Sequence, residues 1–212
     1  NPTDGKLVAT LAGHAAPVSS AAFRADNGQL ASGDALGAIR LWSAASRQTQ
    51  GEAQGLLLGH AGPVSDLAYG AAGTLYSAGH DGLIRKWNLP QVASRPLAGH
   101  TAAVRDLDLS TDGTLAATGG ADKLVLLHDL AGAKNPISRT AASPVLSVSL
   151  KADKTLVTAG TEAGEVQLWN ASDGVARSSL LGHAGAVRGV ALHPASAQLA
   201  SAGEDGTVRG WD

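Results

Sequence analysis

Two stretches of this chain carry the residue types of an acyl-transfer enzyme. His60, Ser77 and Asp81 recur as His183, Ser201 and Asp205. A serine is a weak nucleophile until a histidine takes its proton, and the histidine needs a carboxylate to orient its ring. Either trio alone could be read as hydrolysing an ester or an amide. Together they argue the reverse. An active site is built once, whereas here each trio returns with the same company: a Gly before the His, and a Trp soon after the Asp, at Trp87 and Trp211. A trio repeated along an array reads as a structural device, so no catalytic residue is expected.

Other chemistries find less support. The chain has no Cys, which removes disulfides, thiolate metal sites and thiol nucleophiles. His80, His128 and His193 stand outside the Gly-His pairs, and no H-x-H or H-E-x-x-H spacing links them, so no metal is expected. The 27 Gly fall at turns rather than in a phosphate-binding pattern, so no cofactor is expected either. A formal net charge of -2 gives no long-range attraction for phosphate backbones, which excludes nucleic acid as a partner. No apolar run approaches the ~18 residues that span a bilayer, so no membrane is expected. The composition points to a soluble protein of the cytoplasm or periplasm. Its Ala-rich, Cys-free character looks bacterial, and the absence of any Met suggests a chain that begins after processing or excision.

The elements that must position these residues are short and repeated. Trp42, Trp87, Trp169 and Trp211 mark unit ends, with His128 in the remaining slot, at steps of 45, 41, 41 and 42 residues. Gly13-His14, Gly59-His60, Gly99-His100 and Gly182-His183 mark unit starts, and a degraded copy begins near Ala141. Each start is followed by an alternating apolar run, such as Val64, Leu67 and Tyr69, or Val187, Val190 and Leu192. Runs of this length bounded by turn residues predict strands. A second run follows a turn such as Asp112-Gly113, and a third ends on the Trp. A looser fourth leads to the next Gly-His. The connection after Trp42 is longer than its counterparts, and its excess, around Gln48 to Gly55, is expected to form a surface loop.

On this period and these end marks, the sequence resembles the WD-repeat β-propellers over essentially its whole length. The resemblance implies an all-β fold, one domain over 1–212, with five four-stranded antiparallel blades at about 13–58, 59–98, 99–139, 140–181 and 182–212 plus 1–12. It further implies that the segment from Asn1 to Leu11 supplies the fourth strand of the last blade and closes the ring. Five blades need about 72° each, whereas members of this family most often use seven. The chain is therefore either a closed five-bladed monomer or part of a larger ring, whose open edges would self-associate.

The resemblance also assigns the trios. His60, Ser77, Asp81 and Trp87, and His183, Ser201, Asp205 and Trp211, are implied to form hydrogen-bonded structural networks. The first unit keeps His14, Ser32 and Trp42 with Leu36 in the Asp slot. The third keeps His100, Thr118 and Asp122 with His128 in the Trp pocket. The fourth keeps Thr158 and Trp169 with Ala163 near the Asp slot. Trp211, in a complete unit, is expected to be a major core anchor. Arg40, Arg85 and Arg209 are expected on a solvated strand face, and His193 in a turn. Partner-binding positions are implied on one rim, just after each Gly-His and just before the turn Asp. They are Ser19, Ser65, Arg105, Leu146 and Arg188, then Ala35, His80, Ala121, Glu162 and Glu204. Of these, Arg105, Arg188, His80 and Glu204 stand out, with Leu146 as an apolar anchor. The expected function is a non-catalytic scaffold for a protein or peptide. The alternative is a propeller domain of a larger multidomain protein whose chemistry lies elsewhere.

Overall fold

The structure is a computed structural model and describes residues 7–26, 28–44, 53–70, 73–89, 93–97, 99–132 and 135–212. The described residues are all-β, without an α-helix. Blade one comprises β1 (Val18–Phe23), β2 (Gln29–Asp34), β3 (Ile39–Ser43) and β4 (Ala53–Leu57). Blade two comprises β5 (Val64–Tyr69), β6 (Leu75–Gly79), β7 (Ile84–Asn88) and β8 (Ala93–Leu97). Blade three comprises β9 (Val104–Leu109), β10 (Leu115–Gly120), β11 (Leu124–Asp129) and β12 (Ile137–Thr140). Blade four comprises β13 (Val145–Leu150), β14 (Leu156–Thr161), β15 (Val166–Asn170) and β16 (Ala176–Leu180). Blade five has β17 (Val187–Leu192), β18 (Leu199–Gly203) and β19 (Val208–Trp211). Each sheet is an antiparallel meander in chain order.

The blades stack because their second strands are small. β6 reads Leu-Tyr-Ser-Ala-Gly and is buried throughout. A Cβ on Gly33, Gly119 or Gly160 would lie within 2.6 Å of the Val that opens the next blade's first strand: Val64, Val145 and Val187. These three Val and Val104 are fully buried, each contributing about 1.5–3 kcal/mol by the area removed from water. The apolar clusters accordingly lie between consecutive blades, joining one with two, two with three, three with four and four with five.

Side chains two and four places after that Val clasp the next blade. The Asp66 carboxylate accepts from the Leu107 N–H at 3.3 Å, and Asp106 and Asp108 accept from Val148 and Leu150 at 2.7 Å each. The hydroxyls of Ser147 and Ser149 accept from Val190 and Leu192, both at 3.2 Å. Blade five has Gly189 and Ala191 at these places, so β17 offers no such acceptor.

Ring closure is not seen among the described residues. Among the described residues no strand joins β19, and the last sheet has three strands. Asn1 to Lys6 lie outside the described residues; Leu7 and Val8 are exposed, and only Thr10 makes an isolated bridge. Val18 is 53% exposed and Val208 77%, whereas their counterparts in the other blades are buried. A Cβ on the turn glycine Gly206 would meet no described residue within 4 Å beyond its chain neighbours, while Gly37, Gly82 and Gly164 press on the Gly-His segment of a following blade. β17 also lacks the polar side chains that β1, β5, β9 and β13 extend to the blade that follows. The loop expectation also needs correcting. Ala53 and Gly55 pair with Trp42 and Leu41 in β4, and any excess falls on 45–52, outside the described residues.

Candidate functional site

The Ser/His/Asp trios are closed polar chains. In blade two the Trp87 indole N–H donates to Ser77 Oγ at 2.9 Å. The Ser77 hydroxyl meets His60 Nε2 at 2.7 Å, and His60 Nδ1 meets Asp81 at 2.9 Å. Blade five repeats this with Trp211, Ser201, His183 and Asp205 at 2.9, 2.8 and 3.0 Å. Ser77 is fully buried and its hydroxyl is engaged on both sides, so no substrate carbonyl can approach it. Burial opposes ionisation of Asp34, Asp81, Asp122 and Asp205, yet hydrogen bonds from their His and from turn N–H groups hold all four below the usual carboxylate range. Burial pushes the His60 imidazole down, keeping it neutral.

The incomplete copies differ from their expected wiring. In blade one Leu36 does not leave the slot empty. Asp34, which aligns with Gly79 of blade two, reaches His14 Nδ1 at 2.6 Å and accepts from the Leu36 and Ala38 N–H groups. A Cβ on Gly79 would lie 2.3 Å from His60 Nδ1, so a short acid at this place meets the ring directly. His14 and Trp42 then meet Ser32 Oγ at 2.6 and 2.7 Å. In blade three His100 bonds Asp122 and Thr118 at 3.0 and 2.9 Å. His128 is buried and reaches Thr118 at 3.3 Å, with burial, and then the charge of His100, pushing its pKa down to about 4.

Blade four has no such chain, and Trp169 is not part of one. Ala141 stands in the His place, and the Thr158 hydroxyl donates to the Gln167 carbonyl at 3.1 Å. Trp169 serves as an apolar wall of the core between blades three and four. The turn there is held instead by Ser143, whose hydroxyl accepts from the Ala163 N–H at 2.9 Å.

Arg40, Arg85 and Arg209 are not a solvated face. They are half-buried, and their guanidiniums lie over Gly13, Gly59 and Gly182, where an added Cβ would fall within 3.0–3.4 Å of them. Arg85 and Arg209 also approach Asp81 and Asp205 at 3.9 and 3.7 Å. The signal was in the repeat itself: an Arg two places before the Trp in the three units that have both a Gly-His and a Trp, with Leu126 there in the third unit, where His128 replaces the Trp. His193 Nδ1 caps its turn by accepting from the Ala195 and Ser196 N–H groups.

The rim residues are positioned by two recurring devices. In every blade the pairing of the first and second strands shifts by one residue after the opening Val. The residue at each shift is Ser19, Ser65, Arg105, Leu146 or Arg188. A bulge of this kind re-aims one side chain out of the sheet. Across from it, the N–H groups of Ala35, His80, Ala121, Glu162 and Glu204 donate at 2.9–3.0 Å to the carbonyl just before the first strand. The two sets therefore share one edge of the molecule.

What they offer differs around the arc. The Ser19 and Ser65 hydroxyls donate to the Val64 and Val104 carbonyls, so both are spent between blades. Arg105, Leu146 and Arg188 carry no hydroxyl for that bond. They line a groove of about 520 Å³ with Ala121, Pro144 and Glu162. Arg188 is paired with Glu204 through its Nε at 2.8 Å and a terminal nitrogen. Exposed Arg105 lies 3.4 Å from His80 Nε2. Burial, then the charge of Arg105, pushes His80 down, so a neutral ring accepts from the guanidinium.

This five-fold recurrence of strands, bulges and polar chains can be set against known proteins. The family model described as WD domain, G-beta repeat matches residues 5–43, 51–88, 91–129 and 174–212. The chain belongs to the WD-repeat family. The unmatched stretch is the WD-repeat copy of blade four, the one without a Gly-His pair. Among similar WD-repeat proteins are the nuclear distribution protein PAC1-2 of Uncinocarpus reesii, 30% identical over 68% of this chain and 38% of its own length, and the nuclear distribution protein PAC1 of Arthroderma otae, 29% identical over 98% of this chain and 52% of its own. A guanine nucleotide-binding protein subunit beta-like protein of Encephalitozoon cuniculi is 27% identical over 65% of this chain and 45% of its own length. The chain thus spans about half the length, or less, of these WD-repeat relatives. They are eukaryotic, so the bacterial origin suggested by composition has no support among them. Among the described residues, no helix is long and apolar enough to cross a membrane.

Proposed function

We propose that this WD-repeat chain is a non-catalytic scaffold that binds a protein or peptide segment through the rim groove between blades three and five. One observation carries the reading. At the bulged position the chain spends two hydroxyls on inter-blade bonds but places Arg105, Leu146 and Arg188 where no such bond forms, around a groove. Arg and apolar anchors at a rigid, pre-shaped edge are what a binding surface needs. Relatives named as a nuclear distribution protein and as a subunit beta-like protein fit such a role. That these relatives are longer supports a second reading, in which the arc serves a larger protein whose chemistry lies in another domain.

The test is a selection of random heptapeptides displayed on phage against the immobilised protein and against Leu146→Asp. The first reading expects peptides that enrich on the parent and fail on the variant, with unchanged circular dichroism. Equal enrichment on both would overturn the groove as the binding site.

A further inference from the structure

The groove has an internal charge order that selects among segments. Arg188 is already neutralised by Glu204. Arg105 has no carboxylate within ion-pair distance among the described residues, and it lies 3.4 Å from the neutral imidazole of His80. Leu146 and Pro144, both half-buried, give blade four an apolar surface beside it. Glu162, exposed on the same blade, repels a second anion. One uncompensated cation, an apolar step and one carboxylate leave the groove without net charge, so it favours a single negative charge at one end only.

We propose that the groove takes an extended peptide segment with a carboxylate side chain close to an apolar one, the carboxylate on Arg105 and the apolar group on Leu146 and Pro144. This rests on the reading that the rim binds peptides. An exposed ion pair contributes little affinity, so the apolar contact supplies most of the binding and Arg105 supplies the choice of partner. A doubly charged phosphate fits less well, because Glu162 opposes the second charge. A segment with Lys or Arg in place of the acid meets the Arg105 guanidinium and is rejected.

The experiment takes the peptides enriched on the parent, labels them with fluorescein and measures Kd by fluorescence anisotropy. The proteins are the parent, Arg105→Gln, Arg105→Glu and Leu146→Asp. Enriched peptides are expected to carry Asp or Glu within two residues of Leu, Ile, Val or Phe. Arg105→Gln should weaken them about threefold to tenfold, and Arg105→Glu more. A peptide with its acid replaced by Lys should bind Arg105→Glu better than it binds the parent, a gain that a misfolded variant could not show. Peptides that need Leu146 but are indifferent to both Arg105 variants would overturn the acidic-segment proposal and leave the binding groove standing. Peptides indifferent to Leu146→Asp as well would overturn both.

Discussion

Replacing Asp66 by Asn should stabilise the protein at neutral pH and leave it nearly unchanged in acid. Asp66 sits on β5 between blades two and three, receiving a hydrogen bond from Ser20 Oγ at 3.0 Å and from the Leu107 N–H at 3.3 Å. Burial, and then the charge of Asp106 beside it, pushes its carboxyl from an ordinary 3.8 up to about 7. The folded state thus holds a proton that the unfolded chain releases near pH 4. The neutral form's contribution is fully present below pH 4, and it is lost as pH rises to 7. At 1.36 kcal/mol per pH unit the ceiling is about 4 kcal/mol. Water and side-chain relaxation around a buried carboxylate trim this to about 2–4 kcal/mol. Asn keeps an acceptor for Leu107 and gains a donor for Asp106, so it mimics the protonated acid at every pH. The assay is urea unfolding followed by Trp fluorescence at pH 5, 6, 7 and 8. Burial lowers His60, His80 and His128, and their contribution runs the other way, being lost as pH falls below about 6.5. These groups are common to both proteins and cancel in the difference. The stability of Asp66→Asn minus that of the parent should climb across this range. A difference flat with pH, or a parent more stable than the variant at pH 8, would refute the reasoning.

Two further substitutions test the packing. Trp87 is 1% exposed and anchors Ser77, so Trp87→Ala should cost about 3–5 kcal/mol in urea unfolding. Trp211 makes the equivalent bond but is only half-buried, beside a cavity of about 680 Å³ at the open end of blade five. Trp211→Ala should therefore cost less, against the expectation from sequence that it is a principal anchor; an equal or greater loss there would show that another element covers this end. Lys123 occupies, with φ of 68°, the turn position that Gly37, Gly82, Gly164 and Gly206 hold elsewhere, and its side chain is exposed. Lys123→Gly relieves about 1–2 kcal/mol of left-handed strain and gives back about 0.5–1 in unfolded-chain entropy. A rise in Tm of about 1–4 °C is expected, and a fall would mean that the turn relaxes its strain in another way.

What could be read from the sequence is what a repeat states about itself. Each unit's apolar alternation and turn residues are set by packing within and against a similar neighbour, so the first three strands of all five units were legible. The wiring of blade one was less so. An acid displaced by two residues, Asp34 for Leu36, looks like a loss when slots are compared one by one. It becomes visible only when the gain at the Gly position is weighed with the loss at the Asp position. The role of Arg40, Arg85 and Arg209 was hidden for a similar reason, since their partner is the absence of a Cβ on a glycine some 27 residues away.

The inter-blade clasp shows the deeper limit. Ser20, Asp66, Asp106, Ser147 and Gly189 form one column of the repeat, and a polar residue there looks like an ordinary outward strand position. Its partner is a backbone N–H of the next unit, which every sequence provides and none displays. Blades two, three and four fill the column with acceptors and each is followed by a packed blade, while blade one packs on blade two with Ser20 donating to Asp66 instead. Blade five puts Gly189 there and Ala191 two places on, and beyond it a Cβ on Gly206 would meet no described residue within 4 Å beyond its chain neighbours, while Val208 and Val18 stay exposed. The head-to-tail match of the termini suggested closure, but termini that match in strand count still need a face that holds the next blade. Among the described residues β17 extends no polar side chain to a further blade, where β1, β5, β9 and β13 each extend one.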